Sequence, residues 1–347
     1  MSFLNDAEFS KMYFYPQDIR CESAIDVAVN GVTLRCVYHQ SDPSLPTLIH
    51  FHGNGEAVEH YVQMGYVPKL IAEVGDMNIL LVEYRGYGGS TGDPQLVAML
   101  EDGEALVHAL NLDPIRCVAY GRSIGSLYAL ELASRFPNLG GLFLDSAIAD
   151  VQYPFMIRLL DELLTPEGME RRQQILAEVN RYFSHQSKIA NFRGKLVICH
   201  TERDQIIHVE DAKQLYMWAS TFKKELRIYR EGDHNSIFHF NSRDMLFALK
   251  RLMASIAPQC YSLPETSDEE LIMAALLPGE KYRREADVFS PALPEWGDPY
   301  KRPTPKWMKP LPDVDQIRRP TEAPVVRSEP SPKRNVFERL SNWFVKK

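Results

Sequence analysis

A serine between two glycines is the first feature of this chain that could do chemistry. Ser123 lies in Gly-Arg-Ser-Ile-Gly (121–125), between the apolar run "IRCVAY" and a pattern typical of a helix. Glycines at this spacing permit a sharp strand-to-helix turn that exposes a hydroxyl as a nucleophile. Close packing of the helix on a sheet is the alternative. We favour the nucleophile because further motifs support it.

A serine nucleophile needs a base and an acid that orients the base. Asp204 follows the strand-like run "KLVICH" (195–200), and His234 follows "ELRIYR" (225–230). Loops that leave the carboxyl ends of parallel strands meet at one edge of a sheet, where a strand-to-helix turn also points. We therefore predict that Ser123, Asp204 and His234 converge as catalytic residues.

Other residues could take the same two roles. Asp145 ends a neighbouring strand pattern, and Glu202 is close to Asp204, which could itself be a helix N-cap. Asp204 is favoured as the acid by its position in a loop before a helix. The other candidate bases are His200, His208 and His239. His200 ends a strand pattern and His239 lies within a helical pattern, so both are interpreted as structural.

A glycine-rich turn could supply hydrogen bonds to a developing oxyanion. The strand pattern "TLIHF" (47–51) ends at His52-Gly53-Asn54-Gly55, where glycines permit close approach of the backbone. We predict the backbone N–H groups of Asn54 and Ile124 as the two donors. The loss of one such donor typically costs about 3 kcal/mol of transition-state stabilisation.

Metal and substrate contacts are less well marked. His50 and His52 have the spacing of one strand face, but no cluster of further ligands follows, so we expect neither a metal nor another cofactor. The residues predicted to contact substrate are Gly53, Arg122 and Tyr153. For Arg122 the alternative is an exposed surface arginine, and for Tyr153 it is packing between a cap and the core.

Short apolar runs alternate with helical patterns along residues 25–256. Asn30-Gly31 within 25–39 predicts a hairpin. The predicted strands are 47–51, 78–84, 115–120, 141–146, 195–200 and 225–230, and the predicted helices include 94–111, 124–136, 209–221 and 236–256. This order predicts an α/β fold with a mostly parallel twisted sheet and helices on both faces. The long connection at about 148–193 contains helical patterns at 153–164 and 167–183 and predicts a helical cap insertion.

The composition changes near residue 258. Residues 258–347 hold 14 of the 23 prolines, and residues 301–347 carry 12 Lys and Arg against 5 Asp and Glu. We therefore predict a catalytic domain at 1–257 and a basic C-terminal extension at 258–347, with a short helix at 267–279. Apolar residues lie on one helical face of 336–347. They could contact a membrane surface, a protein groove or the acidic domain itself.

Five scattered cysteines indicate reduced core residues and a cytoplasmic protein. No apolar run is long enough to span a bilayer, and the N-terminus lacks the pattern of a secretory signal. The body is acidic, with a net charge of −14 on residues 1–300 against −7 for the whole chain. We expect no nucleic-acid partner.

Five motifs in this order resemble the α/β-hydrolase superfamily: "FHGNGE", "VEYRGYGGSTG", "AYGRSIGS", "HTERDQIIHVEDA" and "EGDHNS". The chain is most similar to serine hydrolases that include protein depalmitoylases, lysophospholipid lipases and monoacylglycerol lipases, with serine-aminopeptidase-like hydrolases as close relatives. The resemblance covers about residues 20–256. Glu83 departs from it where Asp is frequent, and His208 departs where Pro is frequent.

The resemblance implies a Ser123–Asp204–His234 triad with the Asn54 and Ile124 amides as oxyanion hole. It implies hydrolysis of a carboxylic ester or thioester, without a cofactor, on a small-molecule, lipid or acyl-protein substrate. The alternative is a non-hydrolytic interaction protein on a hydrolase scaffold, in which residues 258–347 bind a partner.

Overall fold

An eight-stranded sheet forms the centre of the computed structural model, which describes residues 2–151 and 166–261. The strands are β1 Ile25–Val29, β2 Val32–His39, β3 Thr47–Phe51, β4 Asn78–Val82, β5 Cys117–Arg122, β6 Gly141–Asp145, β7 Lys195–Thr201 and β8 Lys224–Tyr229. Their order in the sheet is β1-β2-β4-β3-β5-β6-β7-β8. The first two pairings are antiparallel, and all the others are parallel.

The first two strands form the predicted hairpin. Asn30 and Gly31 connect β1 to β2 with φ angles of +44° and +79°. Two consecutive positive φ angles are those of a type I′ turn, which Asn-Gly accepts at low cost. The hairpin adds an antiparallel edge to a sheet that is otherwise parallel.

Nine α-helices flank the sheet within the described residues. They are α1 Ala7–Tyr13, α2 Val58–Gln63, α3 Tyr66–Val74, α4 Asp102–Ala109, α5 Gly125–Arg135, α6 Pro166–Tyr182, α7 His185–Asn191, α8 Val209–Trp218 and α9 Ile237–Ile256. Short 3₁₀ turns lie at Phe3–Asn5, Ala98–Leu100, Pro114–Arg116 and Pro258–Cys260.

Both faces of the sheet are buried, so the molecule has two apolar layers. In β5, Cys117 and Ala119 belong to one cluster of buried residues, while Val118 and Tyr120 belong to the other. Successive side chains of a strand point to opposite faces, so a strand covered on both sides is apolar throughout. The predicted fold class, an α/β fold with a mostly parallel sheet, is confirmed.

One predicted helix is shorter than expected. The pattern at 94–111 suggests a single helix, but the α-helix begins only at Asp102. Arg85 donates two hydrogen bonds to the Asp102 carboxylate, at 2.7 Å from Nε and 2.6 Å from Nη2. A carboxylate in the first turn also suits the helix dipole. The helix α4 therefore begins at the residue that pairs with the loop after β4. Hydrophobic periodicity alone does not locate this start.

The remaining expectations concern further helices, the cysteines and the limits of the domains. The predicted helix at 167–183 corresponds to α6, whereas the one at 153–164 and the helix at 267–279 lie outside the described residues, as do Tyr153 and the 336–347 segment. The five cysteines are free, and Cys260 alone among them is not fully buried. Across residues 2–151 and 166–261, no helix has the length and apolar character needed to cross a membrane. The division at 257/258 and the cap at 148–193 stay predictions.

Candidate active site

The turn that carries Ser123 is strained and closely packed. Ser123 has φ +53°, a left-handed conformation that is costly for a residue with a side chain. Its N–H donates to the carbonyl oxygen of Asp145 at 2.9 Å, which ties the turn to the end of β6. A Cβ at Gly121 would lie 2.7 Å from the Ala129 Cβ, and one at Gly125 would collide with the Phe51 carbonyl oxygen. The glycines thus serve packing and also allow the sharp turn.

The structure brings together the three side chains that the sequence predicts. His234 Nε2 lies 2.9 Å from Ser123 Oγ, and His234 Nδ1 lies 2.7 Å from Asp204 Oδ2. All three residues are buried. Because a carboxylate only accepts, Nδ1 carries the proton and Nε2 is free to accept the serine hydroxyl proton. This is the hydrogen-bond chain of a nucleophile, a base and an orienting acid.

Asp204 is held as a carboxylate by a dense set of donors. Its Oδ1 accepts backbone N–H groups of Ile206 at 2.9 Å and Ile207 at 2.8 Å. Burial opposes ionisation, but hydrogen bonds from His200, His234 and the backbone outweigh it and hold the pKa well below its ordinary value. A charge is therefore available to stabilise a protonated His234.

The alternative acid Asp145 has other partners, and one of the alternative bases, His200, contacts Asp204. Asp145 is fully buried and accepts hydrogen bonds from Tyr120 Oη at 2.8 Å and Ser146 Oγ at 3.1 Å; burial raises its pKa. Glu202, His208 and His239 are exposed. His200 Nε2 lies 2.9 Å from the Ile207 carbonyl oxygen and 3.4 Å from Asp204 Oδ2, the same carboxylate oxygen that contacts His234.

The two backbone amides predicted as oxyanion donors have no acceptor among the described residues. Of the residues that the structure describes, none accepts a hydrogen bond from the N–H of Asn54 or of Ile124. The elbow and the end of β3 are in contact, since Gly125 packs on the carbonyl groups of Phe51 and His52. Free N–H groups beside a nucleophile are what a developing oxyanion requires. The assignment of these two amides as oxyanion donors stays a prediction.

Side chains behind the loop after β3 hold its backbone in place. His52 Nε2 lies 2.8 Å from Glu83 Oε1, and its Nδ1 lies 2.8 Å from the Gly53 carbonyl oxygen. Both neighbours are acceptors, so the geometry suits a doubly protonated ring. Burial lowers the pKa of His52, but the hydrogen bond and charge of Glu83 outweigh it and raise the pKa above 6.5. Glu83 Oε2 also accepts the Val58 N–H at 3.0 Å.

The Asn54 side chain is anchored by hydrogen bonds with three tyrosine residues. Its Oδ1 accepts from Tyr87 Oη at 2.9 Å and from the Tyr15 N–H at 3.1 Å, and its Nδ2 donates to the Tyr13 carbonyl oxygen. Tyr87 and the N-terminal segment therefore hold the peptide whose N–H is the predicted donor. The side chain is occupied, and only the main chain is left to face a ligand.

Arg122 has protein partners on two sides. Its Nη1 pairs with Glu56 Oε1, and its Nη2 donates to the His234 carbonyl oxygen at 3.1 Å. The Gly53 N–H donates to Glu56 Oε2 at 2.8 Å, so this amide is engaged as well. A substrate contact by Arg122 or Gly53 stays a prediction, and the groups that would make it are already hydrogen-bonded.

His50 is a buried, neutral histidine. Its ring stacks on Tyr120 with centroids 4.6 Å apart, and neither nitrogen has a hydrogen-bond partner among the described residues. Burial lowers its pKa to about 3. Within residues 2–151 and 166–261, no group of three or more His, Cys, Asp or Glu side chains is arranged to hold a metal ion.

Sequence reasoning missed the contribution of Glu56 and His200. Glu56 carries the acidic group that joins the glycine turn to Arg122, and it follows directly on that turn. Its position three residues after Gly53 was an available signal. The contact of His200 with Asp204 had no such signal, because it depends on how the 202–207 loop folds back on β7.

No protein-family model matches the chain. The uncharacterized protein YfhR of Escherichia coli K12 is 26% identical over 251 residues, which cover 65% of this chain and 80% of that protein. Alpha/beta hydrolase domain-containing protein 17C of Xenopus laevis is 33% identical over 114 residues, which cover 30% of this chain and 35% of that protein. The solved Pyrococcus furiosus esterase Pf2001 is similar with a TM-score of 0.54 at 17% identity, over 69% of this chain and 98% of that one.

The chain has the α/β-hydrolase fold. The resemblance of its motifs to the α/β-hydrolase superfamily is confirmed at the level of the fold. In this fold, the elbow follows the central strand β5, and the loops of Asp204 and His234 follow β7 and β8. The finer resemblance to depalmitoylases and lipases stays a prediction.

Proposed function

We propose that the chain is a serine hydrolase that cleaves a carboxylic ester or thioester through an acyl-enzyme on Ser123. The observation that carries the proposal is the pair of hydrogen bonds at 2.9 Å and 2.7 Å that links Ser123 through His234 to Asp204. A serine hydroxyl is a weak nucleophile unless a base accepts its proton during attack. Here the base is in contact with it and is itself oriented by a carboxylate.

Acylation follows from the positions of these groups. His234 Nε2 takes the proton from Ser123 as Oγ attacks the carbonyl carbon, and the ionised Asp204 stabilises the imidazolium. The Asn54 and Ile124 N–H groups donate to the oxygen that becomes negative. When the tetrahedral intermediate collapses, His234 gives its proton to the leaving alcohol or thiol.

Deacylation repeats the chemistry with water. Water takes the place of the leaving group, and His234 removes its proton as it attacks the acyl carbon on Ser123. Collapse of the second intermediate releases the carboxylic acid and returns the proton to Ser123. These steps use only groups of the protein and require no cofactor.

Comparison with known proteins supports an ester as the class of substrate. The Pyrococcus furiosus protein with this fold is described as an esterase. The motifs resemble those of lipases and depalmitoylases, so a lipid or acyl-protein ester is the more specific proposal. A thioester reacts by the same steps, with a thiol as leaving group.

Labelling with a fluorophosphonate probe tests the proposal, because the probe reacts with an activated serine whatever the natural substrate is. We expect strong labelling of the full chain that is lost in Ser123→Ala. Ser126→Ala is the matched control: Ser126 is buried three residues further on, where its Oγ accepts the Ile148 N–H at 3.1 Å. We expect Ser126→Ala to be labelled.

Absence of labelling in a folded wild type would contradict the proposal, and so would labelling that persists in Ser123→Ala. A panel of p-nitrophenyl esters and acyl thioesters, assayed with the same variants, then separates the two bond types. Hydrolysis of both that disappears in Ser123→Ala would place both at one site.

A further inference from the structure

A half-buried ion pair joins three of the four loops of the candidate site. Arg122 precedes Ser123 on the elbow, Glu56 belongs to the loop after β3, and His234 belongs to the loop after β8. We propose that the Arg122–Glu56 pair is a positioning brace, which sets the distance between Ser123 and His234 and the place of the Asn54 amide. This inference rests on the proposed function, since it concerns the same site.

The Arg122 guanidinium connects the elbow to the histidine loop. Its Nη2 donates to the backbone carbonyl oxygen of His234 at 3.1 Å, while the imidazole of the same residue contacts Ser123 Oγ at 2.9 Å. The main chain of the base is therefore held by the residue next to the nucleophile. A shift of Arg122 would move the imidazole relative to Ser123.

Glu56 connects the same guanidinium to the glycine turn. Its Oε1 pairs with Arg122, and its Oε2 accepts the Gly53 N–H at 2.8 Å and Tyr61 Oη at 2.5 Å. The amide of Gly53 is thus engaged, whereas the next one, that of Asn54, has no acceptor among the described residues. Glu56 thereby determines which amide of the turn is left for an oxyanion.

The pair is shielded from solvent, so its charges depend on each other. The side chains of Arg122 and Glu56 are 14% and 25% exposed. Burial raises the pKa of Glu56, but the charge of Arg122 outweighs this and keeps the pKa below its ordinary value. Loss of one partner leaves a poorly solvated charge, which would rearrange the loops around it.

A lysine cannot replace this arginine. The planar guanidinium has five N–H donors and bonds in two directions at once, whereas an ammonium group is a single compact charge on a flexible stem. Arg122→Lys keeps the positive charge beside Glu56, but an ammonium group paired with Glu56 cannot also reach the His234 carbonyl oxygen as the guanidinium does. Glu56→Gln removes the same pair from the other side.

The rate constants of fluorophosphonate labelling in the full chain test the brace. A displacement of about 1 Å at a reacting group can cost roughly a hundredfold in rate. We expect both variants to lower the maximal rate constant of labelling by roughly tenfold to a hundredfold, with the concentration for half-maximal rate within about twofold of wild type. The labelling rate constant of the double variant should be little lower than that of the slower single variant, because each single substitution already removes the same ion pair.

Arg227→Lys is the matched control. Arg227 is a half-buried arginine on β8 that pairs with Glu225 of the same strand and with Asp244 of α9, outside the three loops that the brace joins. We expect its labelling rate constant to equal that of wild type, even if its thermal midpoint falls. A loss of stability alone lowers the fraction of protein that is labelled, whereas a displaced base lowers the rate constant of the folded fraction.

The outcomes separate the brace from the proposed function. If folded wild type is not labelled, the proposed function fails, and the brace fails with it. If wild type is labelled and both variants keep its rate constant, the brace is wrong while the function stands. A rate constant that falls equally in Arg227→Lys would also overturn the brace. If Arg122→Lys does not fold, Glu56→Gln decides alone.

Discussion

The two sides of the candidate site are built on different principles. On the acid–base side, the loops after β7 and β8 present side-chain atoms of Asp204 and His234. On the predicted oxyanion side, the loop after β3 leaves the main-chain N–H of Asn54 without an acceptor among the described residues, while the Glu56 and Asn54 side chains of that loop are hydrogen-bonded within the protein. A substitution can delete a functional atom on the first side. On the second side most substitutions can only displace the functional group, because it belongs to the main chain, and proline alone removes the N–H.

The supporting interactions differ in the same way. Asp204 is surrounded by donors from its own loop and two histidines, so a local segment nearly completes its environment. The loop after β3 is held by residues from distant segments, among them Glu83 and Arg122. Positioning the backbone amide therefore depends on contacts from more distant segments of the chain than orienting the carboxylate does. The following predictions test this contrast.

The largest effect is expected from Asp204→Asn on the acid–base side. An amide cannot hold the Nδ1 proton of His234 as the carboxylate does, so the imidazole loses its tautomer and its counter-charge. We expect a fall of about 10⁴-fold in the labelling rate and in ester hydrolysis. Rates measured on folded protein, monitored by circular dichroism, provide the test.

Asp145→Asn is the control for Asp204→Asn. Asp145 is equally buried but bonds to Tyr120 and Ser146 rather than to His234. We expect a much smaller loss of activity. An equal loss in both variants would mean that the acid has been assigned to the wrong carboxylate.

An intermediate effect, on stability, is expected from His52→Gln on the oxyanion side. Removal of one partner from a buried pair typically costs about 3–5 kcal/mol, because the remaining Glu83 charge stays buried. The pKa of His52 is raised above 6.5 in the folded state, so its contribution is complete below pH 6.5 and is lost as the pH rises through the raised value. The gap in unfolding free energy between wild type and variant should therefore narrow with increasing pH.

Urea unfolding of both proteins from about pH 6 to about pH 9 measures this gap. The other titrating groups are present in both proteins, so their contributions cancel in the difference. The exposed His239 provides the control, and His239→Gln should differ little from wild type at any pH. A gap that stays constant or widens with pH would show that His52 is not charged in the folded protein.

The smallest effect is expected from Tyr87→Phe. The hydroxyl of Tyr87 donates to Asn54 Oδ1 at 2.9 Å, and its loss leaves the Tyr15 N–H on that oxygen. The predicted donor, the Asn54 N–H, stays in place, so we expect labelling to slow by less than about tenfold, below the cost of deleting a donor. Tyr128→Phe removes the hydroxyl of a ring that, like Tyr87, packs on Tyr84; among the described residues this hydroxyl bonds only to the Met99 sulfur, at 3.9 Å. A larger loss in Tyr128→Phe than in Tyr87→Phe would contradict this account.

Much of the fold could be predicted because it depends on local patterns. β3 and α5 lie within a residue of the expected bounds, since apolar runs and turn residues mark them. The start of α4 was wrong because the Arg85–Asp102 pairing that holds its first turn joins two separate segments. The catalytic roles of Ser123, Asp204 and His234 stay predictions, although their side chains lie in contact.

The sequence by itself determined the type and order of the elements and the loops that carry Ser123, Asp204 and His234, because periodicity and turn chemistry act over a few residues. Only the tertiary structure decided which charges pair. Arg122 meets Glu56 across 66 residues of chain, and His200 shares Asp204 with His234. Charge pairing depends on distances in space, and the spacing of residues along the chain does not encode those distances.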